Sequence, residues 1–199
     1  NGDITRVVAA QPTEVLPSIE PDQGFEDRIA VLREPLAALR NQVVGEAAVE
    51  LNGNRDEVRT QETNLGNLIS DAMLEATRGA GAQVAIMNGG SIRTSIDQGP
   101  ITLGELLDVQ PFGNTITLVT LTGAQIKEAL ENGVSQIESI AGRFAQVAGL
   151  RYSYDASRPV GDRVTGIQVA DGQGGYVAID PNASYRVVTN NFLLAGGDG

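Results

Sequence analysis

With 199 residues, 25 acidic against 14 basic side chains and a net charge of −11, the chain is long enough for one well-packed core and strongly acidic. Such a field repels a nucleic-acid backbone and anionic membranes, so non-specific binding to a nucleic-acid polymer is not expected, whereas a small anion held by a local group of arginines is compatible with it. Cysteine and histidine are both absent, which excludes disulfides, zinc–thiolate sites, a Ser-His-Asp triad and a His-rich metal centre. Hydrolysis by this chain alone would have to rest on carboxylates and lysines. No apolar run approaches ~20 residues, so no membrane segment is expected.

Residues 1–21 read as an extended lead-in, with a short apolar strand candidate over residues 4–10 and then Pro12, Pro17 and Pro21. The opening Asn1-Gly2-Asp3 includes neither an initiator Met nor a signal peptide, and the chain is expected to be a processed product or a piece of something longer. From Asp22 the pattern turns helical: Phe25, Ile29, Leu32, Leu36 and Leu39 fall on one face, and Pro35 should kink the helix or divide it into two. A single apolar seam suits a connector between domains, and equally an ordinary helix packed on its own domain. Residues 43–51 read as a strand closed by Asn52-Gly53-Asn54. The clearest helix follows, with Leu65, Leu68, Ile69, Ala72, Met73 and Ala76 as its stripe, Thr63 or Asn64 as its cap and Gly79 as its end.

Val84-Ala85-Ile86-Met87 reads as a buried strand. Thr102-Leu103-Gly104-Glu105 has the spacing of a capping box and should open a short helix. Residues 115–121 alternate like a strand, and Thr122 should cap a helix that turns Ile126, Ala129 and Leu130 inward and ends near Gly133. Beyond Gly142 the signal is β: residues 144–147, 150–154, 163–169 and 185–189, separated by Gly, Asp and Pro clusters. The expected fold is α+β, a mixed sheet layered with helices, most of them in the first two thirds.

Several residue groups carry possible chemistry. The run Asn88-Gly89-Gly90-Ser91-Ile92-Arg93 leaves a buried strand with an amide, two glycines and a guanidinium, which would let the backbone approach a ligand beside an anion clamp. Asn before Gly is also a favoured turn pair. Arg55 and Arg59, four apart ahead of a helix N-terminus, make an anion site or simply two solvated side chains among Asp56, Glu57 and Glu62. Only four Phe exist in the chain, and two of them, Phe112 and Phe192, stand on glycine-bearing segments, where their rings would stack on a planar base or plug a core. Asp198 between two glycines can accept hydrogen bonds from a diol or form a tight turn.

Taken together, Asn88-Gly89-Gly90-Ser91-Ile92-Arg93, Pro111-Phe112-Gly113-Asn114 and Asn191-Phe192-Leu193-Leu194-Ala195-Gly196-Gly197-Asp198-Gly199 resemble the C-terminal, substrate-binding domain of the 5'-nucleotidase family, which includes UDP-sugar hydrolases and ecto-5'-nucleotidases. Glu62-Thr63-Asn64-Leu65-Gly66-Asn67-Leu68 followed by Asp71-Ala72-Met73, and Gly161-Asp162-Arg163-Val164, fit the same family. The resemblance covers residues 43–199, with 1–21 matching a lead-in from an upstream domain and 22–42 the connecting helix.

What it implies is specific. Phe112 and Phe192 would sandwich a nucleobase, Asp198 would bind the ribose, and Asn88 would supply the amide of its loop. Arg55, Arg59 and Arg93 would hold the sugar and anionic side, with Asn114 lining the same pocket. No cofactor is expected on this chain; two divalent metal ions are expected in an N-terminal metallophosphatase domain, the chain's implied partner beside a nucleoside or nucleotide. The implied setting is extracellular or periplasmic. The alternatives are a non-catalytic nucleotide-binding or interaction module on the same fold, and a branch acting on cyclic nucleotides or another substrate.

Overall fold

The computed structural model describes residue 16 and residues 18–198; the strand candidate at residues 4–10, Pro12 and Pro17 lie outside them. Two compact units divide the chain, Asn1–Leu39 and Arg40–Gly199. Helix α1 (Gln23–Arg40) runs through Pro35 in one piece, not as the two shorter helices that the proline admitted. None of its residues is buried, so water can solvate the Val31 carbonyl that Pro35, lacking an N–H, leaves without its helical partner.

In the second unit β1 (Val43–Ala47) pairs antiparallel with β3 (Gly99–Thr102). It is shorter than the expected residues 43–51 because its partner starts at Gly99, opposite Ala47; Leu51 returns to make one bridge with Ile96. The central sheet has the order β4 (Ile116–Thr122), β9 (Ser184–Asn190), β2 (Val84–Asn88), β5 (Ala145–Ala148), with β2 and β9 parallel and the other pairs antiparallel. A third, antiparallel sheet is formed by β6 (Leu150–Tyr154), β7 (Val164–Ala170) and β8 (Tyr176–Ala178). Strands β3 and β8 escape the sequence reading because one carries Gly-Pro and the other is three residues long.

Every residue of β2 is buried, and its two faces serve two cores. Val84 and Ile86 pack with Ile126, Leu130 and Val134 of α4 (Gly123–Val134), while Ala85 and Met87 pack with Leu65 and Met73 of α2 (Asn64–Thr77). The period-two alternation of a strand thus places one helix on each side of the sheet. Each fully buried Leu or Ile in these layers contributes roughly 1.5–3 kcal/mol of transfer free energy.

The caps behave as their side chains dictate. Thr63 Oγ1 accepts from the Gly66 N–H at 3.1 Å, and reciprocal capping boxes open α3 (Leu103–Val109) through Thr102 and Glu105 and α4 through Thr122 and Gln125. Helix α2 does not stop on Gly79. It passes into a 3-10 turn, Arg78–Ala80, and the left-handed residue that ends it is Gly81, at φ 83°. Ala129, expected inward, is exposed toward a cavity instead of joining the core.

One consequence of strand direction matters for function. Because β2 and β9 are parallel neighbours, their C-terminal residues, Asn88 and Asn190, emerge at the same end of the sheet. Strands β4 and β5 run the other way, and the pairings of Ile116 with Asn190 and of Ala145 with Asn88 bring their N-terminal ends there as well. Residues 89–93, 111–115, 140–144 and 191–198 therefore meet beyond the C-terminal ends of the parallel pair, where open sheets gather ligands.

Candidate functional site

The loop after β2 is held by its own backbone. Gly89 N–H donates to the Phe144 carbonyl at 2.7 Å and Gly90 N–H to the Gly142 carbonyl at 2.8 Å. A Cβ added at Gly89 would lie 1.9 Å from the Val58 carbonyl oxygen. This glycine is therefore needed for one backbone segment to approach another, not for approach to a ligand as the sequence suggested. Buried Asn88 is bonded on both sides of its amide: Nδ2 donates to Asp198 Oδ2 at 2.7 Å, and Oδ1 accepts from Asn190 Nδ2 at 3.0 Å.

Beside this loop lies a cleft of about 530 Å³ whose walls include Arg59, Asn88, Arg93, Phe112, Asn114, Phe192 and Asp198. Its size falls in the range of small-molecule pockets, roughly 300–1,000 Å³. Phe112 is 58% exposed and Phe192 42%, whereas Phe144 is buried at 3% and packs against Tyr152 and Tyr154. Nearby glycines do not separate these rings, since Phe144 too lies close to one, Gly142. Phe192 does not stand on a loop: it belongs to the one-turn helix α5 (Asn191–Leu194), capped by Asn190 Oδ1, which accepts from the Leu193 N–H at 2.8 Å. Its ring tip rests over Gly197, where a Cβ would fall 2.5 Å from three ring carbons. Phe112 is steadied by the Arg93 guanidinium, 5.5 Å from the ring centroid.

The arginines divide. Arg59 is half-buried, its Nη1 donating to the Ile140 carbonyl at 3.2 Å, while its Nε is buried with no hydrogen-bond partner among the described residues. Burial lowers its pKa first, and the nearby charges of Arg55 and Arg93 lower it further; Asp198 and Asp56 act in the opposite sense. An anion placed beside this guanidinium would offset its desolvation. Exposed Arg93 also donates from Nη1 to the Gly90 carbonyl at 3.3 Å. Arg55 is not on the cleft wall. It is exposed and paired with Asp56 at 3.0 Å, so it bears on the site only as a charge felt by Arg59.

Other residues contribute to the site. Ser91 and Gly142 line the cleft. Ile140, whose carbonyl holds Arg59, sits at φ 55°, a left-handed conformation that a β-branched residue adopts only when its surroundings impose it. Asn190 ends β9 and caps α5, and its bond to Asn88 depends on two parallel strands being neighbours.

The family described as "5'-nucleotidase, C-terminal domain" matches residues 43–199. The chain belongs to this family. It is 51% identical over 181 residues to a trifunctional nucleotide phosphoesterase of Bacillus subtilis (strain 168), covering 90% of this chain and 12% of that protein. It is 36% identical over 195 residues to the 5'-nucleotidase of Homo sapiens, covering 92% and 34%. Among solved structures, a 5'-nucleotidase precursor from Thermus thermophilus is 53% identical with a TM-score of 0.85, over 90% of this chain and 35% of that one. The chain thus spans about a third or less of the length of these 5'-nucleotidase-family relatives.

Proposed function

We propose that this domain captures the nucleoside part of a nucleotide for a two-domain, metal-dependent 5'-nucleotidase-type phosphohydrolase acting in nucleotide catabolism. The observation that carries the proposal is that two open Phe rings, a carboxylate and a partly desolvated guanidinium share one cleft in a domain of this family. In this reading the base stacks between Phe112 and Phe192, Asp198 accepts from the ribose hydroxyls, and Asn88 and Asn114 border the ring. Arg59 and Arg93 attract the anionic side, and Arg55 adds to their field without contact.

The hydrolytic step belongs elsewhere. With no histidine in the chain, and no three or more His, Cys, Asp or Glu grouped so as to hold a metal ion among the described residues, these side chains do not fit a dimetal centre. An N-terminal metallophosphatase domain is the proposed partner, with residues 1–21 as lead-in, 22–42 as connecting helix and 43–199 as the capture domain. The proposed setting is extracellular or periplasmic. Among the described residues no helix is long and apolar enough to cross a membrane. The purified chain is expected to release no phosphate from AMP or UDP-glucose with added divalent metals; release above a matched blank would reject this division of labour.

Binding itself is tested by calorimetric titration with AMP. Arg93→Ala is expected to weaken AMP binding about ten- to a hundredfold, since a charge-assisted hydrogen bond contributes about 1.5–3 kcal/mol. Its melting temperature should change little because Arg93 is exposed. An unchanged dissociation constant, or a collapse in stability, would return Arg93 to a structural role.

A further inference from the structure

The ribose-binding carboxylate of the proposed site sits in an uncomfortable place. Asp198 has φ 61°, a left-handed backbone that non-glycine residues occupy seldom, and then chiefly Asn and Asp. The segment carrying it borders a second cavity, of about 310 Å³, lined in part by Asn132, Arg143, Leu193, Leu194 and Asp198 itself. Polar contacts also hold this segment.

Those contacts form two short chains. In the first, Arg143 Nη1 donates to Asn132 Oδ1 at 2.8 Å, and Asn132 Nδ2 donates to the Asp198 carbonyl at 3.0 Å. In the second, Asn190 Nδ2 donates to Asn88 Oδ1, which turns Asn88 Nδ2 toward Asp198 Oδ2. Each amide is bonded at both its oxygen and its nitrogen, so neither can flip without losing a bond. The two chains meet on one residue, one at its carboxylate and one at its carbonyl, and leave Oδ1 of this cleft-wall residue without a hydrogen-bond partner among the described residues.

We infer that Asn132, oriented by Arg143, and Asn190, acting through Asn88, are positioning residues that hold Asp198 in its left-handed conformation and thereby set the preference for a ligand with ribose hydroxyls. The inference rests on the nucleoside-capture reading of the cleft. Asn132 lies on α4 and forms no part of that cleft's wall, so its influence passes through Asp198.

The test uses Asn132→Asp, which keeps the acceptor for Arg143 and the size of the side chain but puts an oxygen where Asp198's carbonyl needs a donor. A second variant, Asn190→Asp, keeps the cap on α5 and removes the donor to Asn88. Calorimetric titration compares adenosine with 2',3'-dideoxyadenosine, which lacks both hydroxyls. Amide hydrogen exchange follows Gly196 and Gly197, whose N–H groups donate to the Leu193 and Phe192 carbonyls. Either variant is expected to weaken adenosine binding about tenfold or more, the worth of a misplaced charge-assisted bond, and to leave dideoxyadenosine binding within about twofold. Exchange at Gly196 and Gly197 should quicken. Equal weakening of both ligands, or unchanged adenosine binding with unchanged exchange, would overturn the inference. If the unsubstituted protein binds neither ligand, the nucleoside reading falls, and the exchange rates alone decide whether Asn132 and Asn190 hold the loop: faster exchange supports the lock, unchanged exchange removes it.

Discussion

Phe192→Ala is expected to lower the affinity of this domain for adenosine by roughly five- to a hundredfold, and Phe112→Ala by a similar factor, because each aromatic face stacked on a base contributes about 1–3 kcal/mol. Either substitution should cost less stability than a core truncation, since the rings are 58% and 42% exposed. Phe144→Ala is the contrasting control. That ring is buried beside Tyr152 and Tyr154, so its loss should destabilise the fold by about 3–5 kcal/mol. Calorimetric titration together with thermal unfolding separates the two behaviours. Unchanged adenosine affinity in both cleft variants would remove the stacking role and with it the main support for nucleoside capture.

The largest effect on folding is expected from Gly89→Ala. The added methyl would stand 1.9 Å from the Val58 carbonyl oxygen and 2.8 Å from its carbon, and both neighbours are backbone. On the other side Gly89 is tied to Phe144 by its N–H. Neither side can yield without breaking the junction between the Asn88 loop and the segment that carries Arg59, so a destabilisation of roughly 3 kcal/mol or more is expected. For a domain of this size that lowers the melting temperature by roughly 6–12 °C. Gly79→Ala, where nothing lies within 4 Å of the added atom, should be neutral or slightly stabilising. Differential scanning calorimetry on the pair checks this, and equal melting temperatures would show that the junction relaxes.

Local structure is legible where the determining interactions are local. Thr63, Thr102 and Thr122 cap helices because a hydroxyl reaches an N–H two or three residues on, and a window of four residues contains the whole interaction. The stripes of α2 and α4 are readable for a similar reason, as a helix needs one continuous apolar face. Legibility fails where a partner far along the chain decides. Strand β1 ends early because β3 is short, and Gly81 rather than Gly79 takes the left-handed position at the end of α2. Helix α5 is indistinguishable from a loop in the sequence, since four residues carry no period and its cap is shared with Asn88.

The site divides along the same line. By itself the sequence determined the chemistry available: no thiol and no imidazole, a net negative charge, and a small set of arginines, loop aromatics and amides whose motifs identify the family. Which of these residues act together was decided only by tertiary structure. Phe112 and Phe192 are far apart in the chain, yet they line one cleft because β4 begins where β9 ends, at the end of the sheet where β2 releases Asn88. Arg55 and Arg59 are four residues apart, yet only Arg59 lines that cleft: Arg55 is exposed beside Asp56, whereas Arg59 is half-buried and donates to the Ile140 carbonyl. The physical reason is the same in both cases: composition and short-range spacing set what each side chain can do, whereas strand direction and backbone contacts between distant segments set what it can reach.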